Sequence, residues 1–240
     1  MAKGSTYRIV LIPKLTENDS NIEALAEKFR AFRLHSLQAA PDAFASTYEV
    51  ESQRGLDHTI GRLINQKAAQ FVALRSTGLD EDDTETLKDV DLLLGCEWVG
   101  MAVLLGPEEG DELSIPSANL DPFVQMTAGA DTAYYNSTRL FESSSNTKDI
   151  HFHINGTFVS PSTRGSGLGG RLMDVAVRYG DDQAAKTGRQ LRVTLSVYGH
   201  NTAAIHLYEK AGFKVVKETD SRSKPGSLAV HMQLDRLTPS

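Results

Sequence analysis

Four glycines fall within six positions at Gly165-Ser166-Gly167-Leu168-Gly169-Gly170, preceded by Arg164 and set between a strand-like run and a helix-like one. Such a turn offers consecutive backbone N–H groups and the positive end of a helix dipole to an anion. Its glycines also let a pyrophosphate come close to the chain. As a plain flexible turn the segment is poorly chosen, because a glycine in a helix costs about 1 kcal/mol against alanine. Gly165, Gly167 and Gly170 satisfy the Gly-x-Gly-x-x-Gly spacing of dinucleotide sites. That reading needs a carboxylate about 20 residues on, at the end of the next strand, and Leu195-Ser196-Val197-Tyr198 supplies none. A Walker A loop fails for want of Gly-Lys-Ser/Thr. Just upstream, His151 and His153 stand two residues apart, on one face of a strand. An imidazole with its ordinary pKa of about 6.5 can take up or give a proton near neutral pH, directly or through water. The same pair has no evident third metal ligand, and half-exposed strand histidines need do neither.

The elements that must position these groups read clearly in the C-terminal half. A strand over His151–Ser160 leads into the glycine turn. A helix then carries Leu168, Leu172, Val175, Ala176 and Tyr179 on one stripe and ends near Gly188. Leu191, Val193, Leu195 and Val197 alternate with polar residues as in a half-buried strand. A short helix from Asn201 to Ala211 stops at Gly212, and Phe213–Val216 and Leu228–Leu234 give two more strands. Towards the N-terminus, a strand over Tyr7–Ile12 precedes a helix that opens at Ser20-Asn21-Ile22-Glu23 with capping-box spacing and stops near Pro41. A second helix is expected over Glu49–Gln66, a strand at Phe71–Leu74, an acidic loop over Asp80–Asp91 and a long strand within Leu92–Leu105. Residues 106–148 are polar and without period, and read as an insertion with a short helix at Leu120–Thr127.

Composition narrows the class. The 240 residues are 40% hydrophobic and 23% charged, with a formal net charge of −6. This opposes non-specific binding to nucleic acid or to an anionic membrane, and no apolar run reaches the roughly 20 residues of a membrane span. Cys96 is the only cysteine, which excludes an intramolecular disulfide and a thiolate zinc site. It reads as a buried, inert thiol. The expected compartment is the cytoplasm or the nucleus.

Arg164-x-x-Gly167-x-Gly169, preceded by Val159-Ser160-Pro161, and the block Asn201 to Phe213 resemble two motifs of the GNAT superfamily of N-acetyltransferases. They occur in order, separated by one helix and one strand, and cover about a quarter of the chain. Ala39-Ala40-Pro41-Asp42-Ala43-Phe44 also looks like the end of a first helix in some members. The resemblance implies acetyl-CoA as cosubstrate and no metal. It implies pyrophosphate on Arg164 and the amides of Gly165, Ser166, Gly167, Leu168, Gly169 and Gly170. It further implies a pantetheine arm paired with Thr157, Phe158 and Val159 where two central strands splay, and a cofactor contact from Asn201.

Tyr208 matches the family's general acid, and a phenol rests as neutral O–H at pH 7. Many relatives carry a Glu where this chain has Ser196, and a serine is no base unaided. The other common position for the base falls on His153, with Glu49 beside Tyr48 a lesser candidate. His206, on the short helix, reads as surface.

The expected fold is therefore one α/β domain, a GNAT-like central mixed, mostly antiparallel sheet flanked by helices. The expected activity is acetyl transfer to a primary amine by direct attack through a tetrahedral intermediate, the acceptor being a small molecule or a protein amine. A homodimer is compatible with the resemblance. A non-catalytic acyl-CoA-binding or interaction module of the same fold is the alternative.

Overall fold

The computed structural model describes residues 6–76, 89–108, 149–221 and 224–236. Among the described residues seven stretches become strands, most of them alternating or continuous in apolar residues: β1 Thr6–Leu11, β2 Ala68–Ser76, β3 Glu97–Glu108, β4 Asp149–Val159, β5 Gln190–Tyr198, β6 Lys214–Asp220 and β7 Leu228–Arg236. They form one sheet in the order β1-β2-β3-β4-β5-β7-β6. Every pairing is antiparallel except β4 with β5. A parallel pair needs a long crossover, and the glycine turn with its helix provides it.

Six helices accompany the sheet among the described residues: α1 Ile22–Ala39, α2 Tyr48–Ser52, α3 Leu56–Ile64, α4 Asp89–Gly95, α5 Leu168–Thr187 and α6 Thr202–Lys210. Two apolar layers hold them to the sheet. On one face α5 presents Leu168, Leu172, Met173, Ala176 and Val177 to Phe71, Ala102, Phe152, Val193 and Met232. On the other, Leu25, Phe29 and Phe32 of α1 and Leu63 of α3 meet Val72, Met101, Val103 and Phe158. This second layer takes no residue from β5, β6 or β7. On that half of the face the sheet carries Thr194, Ser196 and His231 instead, beside His151 and His153 of β4.

Four expectations from the sequence change. The helix over Glu49–Gln66 is two helices, because Gly55, in extended conformation, is the N-cap of α3. Arg30 holds the break open by donating from Nη2 to Ser52 O and from Nε to Arg54 O. Asp89–Asp91, read as the end of an acidic loop, open α4, and the strand within Leu92–Leu105 starts only at Glu97, after α4 ends at Gly95. There Lys28 Nζ donates to the carbonyls of Leu94 and Cys96, and Trp98 Nε1 to that of Leu93. The N-cap of α1 is Asn21, whose side chain makes no cap bond, so Ser20 does not close a capping box. β3 also runs three residues into the stretch read as an insertion. The remainder of that stretch, the helix expected at 120–127 and most of the acidic loop lie outside the described residues.

Arg62 and Glu51 are both buried and form an ion pair between α3 and α2, with Arg54 Nη1 on the same carboxylate at 3.2 Å. Gln70 Nε2 donates to Arg62 O at 2.6 Å, tying α3 to β2. Removing one partner of a buried pair strands the other charge. Arg62→Met is expected to lower unfolding free energy by roughly 3 kcal/mol in urea titrations, and adding Glu51→Leu to recover most of it. A single variant as stable as the parent would show the pair to be dispensable.

Candidate active site

The pairing of β4 with β5 runs from Asp149–Gln190 to Ile154–Leu195 and stops. Beyond it β5 continues alone against β7, through Ser196–His231 to Tyr198–Ala229. β4 stays with β3, but the register slips: Met101 faces Phe158 while Val103 faces Asn155, so β4 carries one extra residue. The bulge falls at Asn155-Gly156, where Gly156 has φ +63° and its N–H is met by the Asn155 side chain at 2.8 Å. A bulge bends its own strand and increases its twist, and here β4 and β5 part. A cavity of about 790 Å³ opens in the gap, within the usual range for small-molecule sites.

One wall of this cavity is the glycine turn. Gly165 and Gly167 have φ of +82° and +77°, and Gly167 is the N-cap of α5 with no side-chain cap bond. The first N–H groups of that 20-residue helix are thus left without a side-chain partner at the cap. A Cβ added at Gly165, Gly167 or Gly170 would meet nothing within 4 Å. The concavity in front of the turn is open space suited to an anion at the helix dipole. Gly169 serves packing instead, since a Cβ there would come 3.2 Å from Leu207 of α6. Arg164 anchors the entry of the turn through Nε to Val159 O at 3.2 Å.

Tyr208 reaches the cavity from α6. Asn201 caps that helix, its side chain accepting from Ala204 N at 3.2 Å, and Phe213 meets the tyrosine ring edge-on with centroids 6.2 Å apart. Burial pushes the phenol up, slightly offset by the Thr157 side chain beside it. Thr157 Oγ1 itself is buried without hydrogen-bonding geometry to any described group. The tyrosine is a neutral O–H donor at physiological pH. The Phe158 ring turns away into α1, against Phe32, His35 and Phe44.

The opposite wall is polar. His153 Nδ1 lies 3.0 Å and His151 Nε2 2.8 Å from one hydroxyl, Thr194 Oγ1. Next along β5, Ser196 Oγ lies 2.8 Å from His231 Nδ1, whose Nε2 is 2.9 Å from Thr219 Oγ1. Burial pushes His151 down to about 3, aided by His153, and His153 down to about 4, aided by His231. Burial also lowers His231, with Lys217 adding to it. All three are neutral at pH 7. Among the described residues no three His, Cys, Asp or Glu side chains gather as a metal site.

The ends of other elements complete the enclosure. The turn Pro41–Ala43 after α1 is fixed by His200 Nε2, 3.0 Å from Asp42 O, and by an ion pair between Asp42 and Lys224. His200 stacks on Tyr198 with ring centroids 5.4 Å apart, and the Arg33 guanidinium sits 4.7 Å above the Phe44 ring.

Of the residues singled out in the sequence, His153, Thr157, Phe158, Val159, Arg164, Gly165, Gly167, Leu168, Gly169, Gly170, Asn201 and Tyr208 all line this one cavity. Leu168 does so with its side chain in the core, leaving its backbone available. Ser166 does not line it; its hydroxyl donates to Thr163 O at 2.7 Å and shapes the turn. Tyr48 and Glu49 open α2 away from it, and His206 is exposed beside Glu209. Cys96 is only partly buried and lies elsewhere. Sequence reading missed Arg33, Asn155, Gly156, Tyr198 and His200. Only Asn155-Gly156 left a signal, as a turn-forming pair inside a strand pattern.

A splayed parallel strand pair, a glycine turn at a helix N-terminus and a buried tyrosine in the gap define the class as an acetyltransferase fold. Residues 132–213 match the family model described as Acetyltransferase (GNAT) family. No curated protein matches it in sequence. Among solved structures it is similar to Arabidopsis thaliana NAA60 in complex with a bisubstrate analogue, at 15% identity and TM-score 0.50 over 96% of this chain and 100% of that one. It is also similar to a GNAT-family acetyltransferase of Streptococcus pneumoniae, at 14% and 0.52 over 96% and 100%. A third is a spermidine N-acetyltransferase chimera from Vibrio cholerae and hSSAT, at 12% and 0.50 over 94% of each.

Lowered histidine pKa values set the sign of an acid effect on stability. Between pH 6.5 and the folded values near 3 to 4, the unfolded chain binds protons that the folded one refuses, so stability falls as pH falls. Between pH 7 and 5, where most carboxylates stay ionised, the urea midpoint is expected to drop. The limit is about 1.4 kcal/mol per pH unit for each fully desolvated histidine. His151→Gln should flatten that slope, even if it lowers stability at pH 7. A midpoint constant over this range contradicts the burial account.

Proposed function

We propose that the protein is an acetyl-CoA-dependent N-acetyltransferase that acts on a primary amine by direct attack through a tetrahedral intermediate. The observation that carries this reading is the gap itself, with an anion cradle at one end and the neutral Tyr208 phenol inside it. Bound acetyl-CoA, as cosubstrate, would supply the activated acetyl group. The amides after Gly165, with Arg164 at the rim, suit its pyrophosphate, and the backbone of Thr157 to Val159, relieved of β5, suits an extended arm. The same backbone N–H groups can polarise the acetyl carbonyl.

Tyr208 protonates the departing sulfur and recovers a proton from the nitrogen that has attacked. His153 faces the acceptor as a neutral imidazole, able to take a hydrogen bond or a proton from the amine. The acetyl group does not pass through a cysteine, since Cys96 lies outside the cavity. We place the reaction in the cytoplasm or nucleus, on the ground of a single unpaired cysteine.

Tyr208→Phe separates this reading from a module that only binds acyl-CoA. Its coenzyme A affinity, by calorimetry, should stay within about threefold while thiol release falls about 100-fold or more. The acceptor panel would hold spermidine, lysine and short peptides with a free α-amine. An unchanged rate in the variant removes the acid role. Intact protein that binds coenzyme A but acetylates none of the panel favours the binding module. A companion variant, Gly170→Asp, puts a carboxylate into the anion cradle and should weaken coenzyme A binding at least tenfold.

A further inference from the structure

The serine that stands where many GNAT relatives carry a carboxylate is joined to a buried histidine. Ser196 Oγ lines the cavity and lies 2.8 Å from His231 Nδ1; His231 Nε2 lies 2.9 Å from Thr219 Oγ1. Ser196 and His231 are direct partners across the β5–β7 register, so the backbone fixes their approach. His231 is 1% exposed, whereas Thr219, on the outermost strand β6, is half-buried. The chain Ser196–His231–Thr219 thus crosses two strands from the cavity to the sheet edge.

We infer that Ser196 and His231 form a relay that takes the proton from the acceptor ammonium, the proposal resting on the N-acetyltransferase reading above. Ser196 donates its hydrogen to Nδ1, so Nε2 carries a hydrogen and donates to Thr219. When the ammonium gives a proton to Ser196 Oγ, the original serine hydrogen passes to Nδ1. One N–H bond of the ammonium breaks, one Nδ1–H bond forms, and the serine is unchanged. The positive charge moves to the imidazole; after each turnover the Nδ1–H bond breaks and a proton returns through Ser196 to solvent in the cavity, which restores the starting tautomer. Ser196 is the group that touches the amine, and His231 acts through it.

His153 is the rival acceptor. Its Nδ1 is occupied by a Thr194 hydroxyl that already serves His151, and no chain of hydrogen bonds leads from that trio to the sheet edge among the described residues. It serves the amine as a hydrogen-bonding contact. Among the described residues, Lys217, opposite it on β6, and His153, across β5, face His231. Lys217 opposes its protonation, which favours prompt release of the proton, whereas His153 is itself neutral at pH 7.

The test uses the full chain with acetyl-CoA and spermidine or an α-amino peptide, whichever turns over. Ser196→Ala and His231→Gln should each lower kcat at pH 7 at least tenfold with coenzyme A affinity unchanged. The double variant should be no worse than either single one, because both remove one path. The loss should shrink as pH approaches the pKa of the free amine, where the base is no longer needed. His153→Gln should raise the KM for the amine and leave the acidic limb of the pH profile in place.

Active protein in which the two variants keep the parental pH profile, or in which their effects add, overturns the relay alone. So does loss of the acidic limb in His153→Gln. Intact protein that acetylates no amine overturns the relay together with the reading beneath it.

Discussion

Everything at the candidate site depends on one broken pairing. β4 and β5 are held side by side as far as Ile154 and Leu195, and then part. In a continuous sheet the backbone of Asn155 to Val159 would be spent on its neighbour. Parting it leaves main-chain groups at the floor of a cavity, and buried main-chain groups demand a partner. The extra residue at Gly156 bends β4, while β5 is held straight by its antiparallel partner β7. The parallel relation matters as well. It forces a helical crossover, and that crossover puts the N-terminus of α5 at the mouth of the gap.

The sheet divides its faces accordingly. One face is apolar along its length and grips α5, so the helix that orients the anion cradle is fixed by a continuous core. The other is apolar only under α1 and α3. Across β4, β5 and β7 it carries three neutral histidines and two hydroxyls in short hydrogen bonds. Desolvated imidazoles resist protonation, so at rest this half of the site is uncharged at pH 7. The α1 end and the Lys224 loop clasp each other through Asp42 and His200, so the N-terminal helices are bound to the C-terminal strands at the cavity rim.

Much of this was legible in residues. Helix α5 with its glycine turn, α6 with its Asn201 cap and Gly212 stop, and the alternation in β5 obey local rules, because propensity, capping and burial agree there. The helix read over Glu49–Gln66 failed because Arg30, on another element, stabilises a break that periodicity alone does not mark. Within Leu92–Leu105 the strand starts only at Glu97 for the same kind of reason: Lys28 and Trp98 satisfy the carbonyls of a short helix whose leucines suit either form. Short apolar runs are ambiguous until something packs on them.

By itself the sequence determined the glycine turn at the head of α5, since such a turn is made of consecutive residues and its geometry is written in their order. Tyr208 could be named from the motif around it, and Ser196 could be seen to stand where a base is common. What that serine can do was decided only by tertiary structure. His231 is 35 residues away in the chain and reaches Ser196 because β7 pairs antiparallel with β5 in one register. A pairing between distant strands leaves no local trace, and the hydrogen bond that gives a serine its partner is such a pairing.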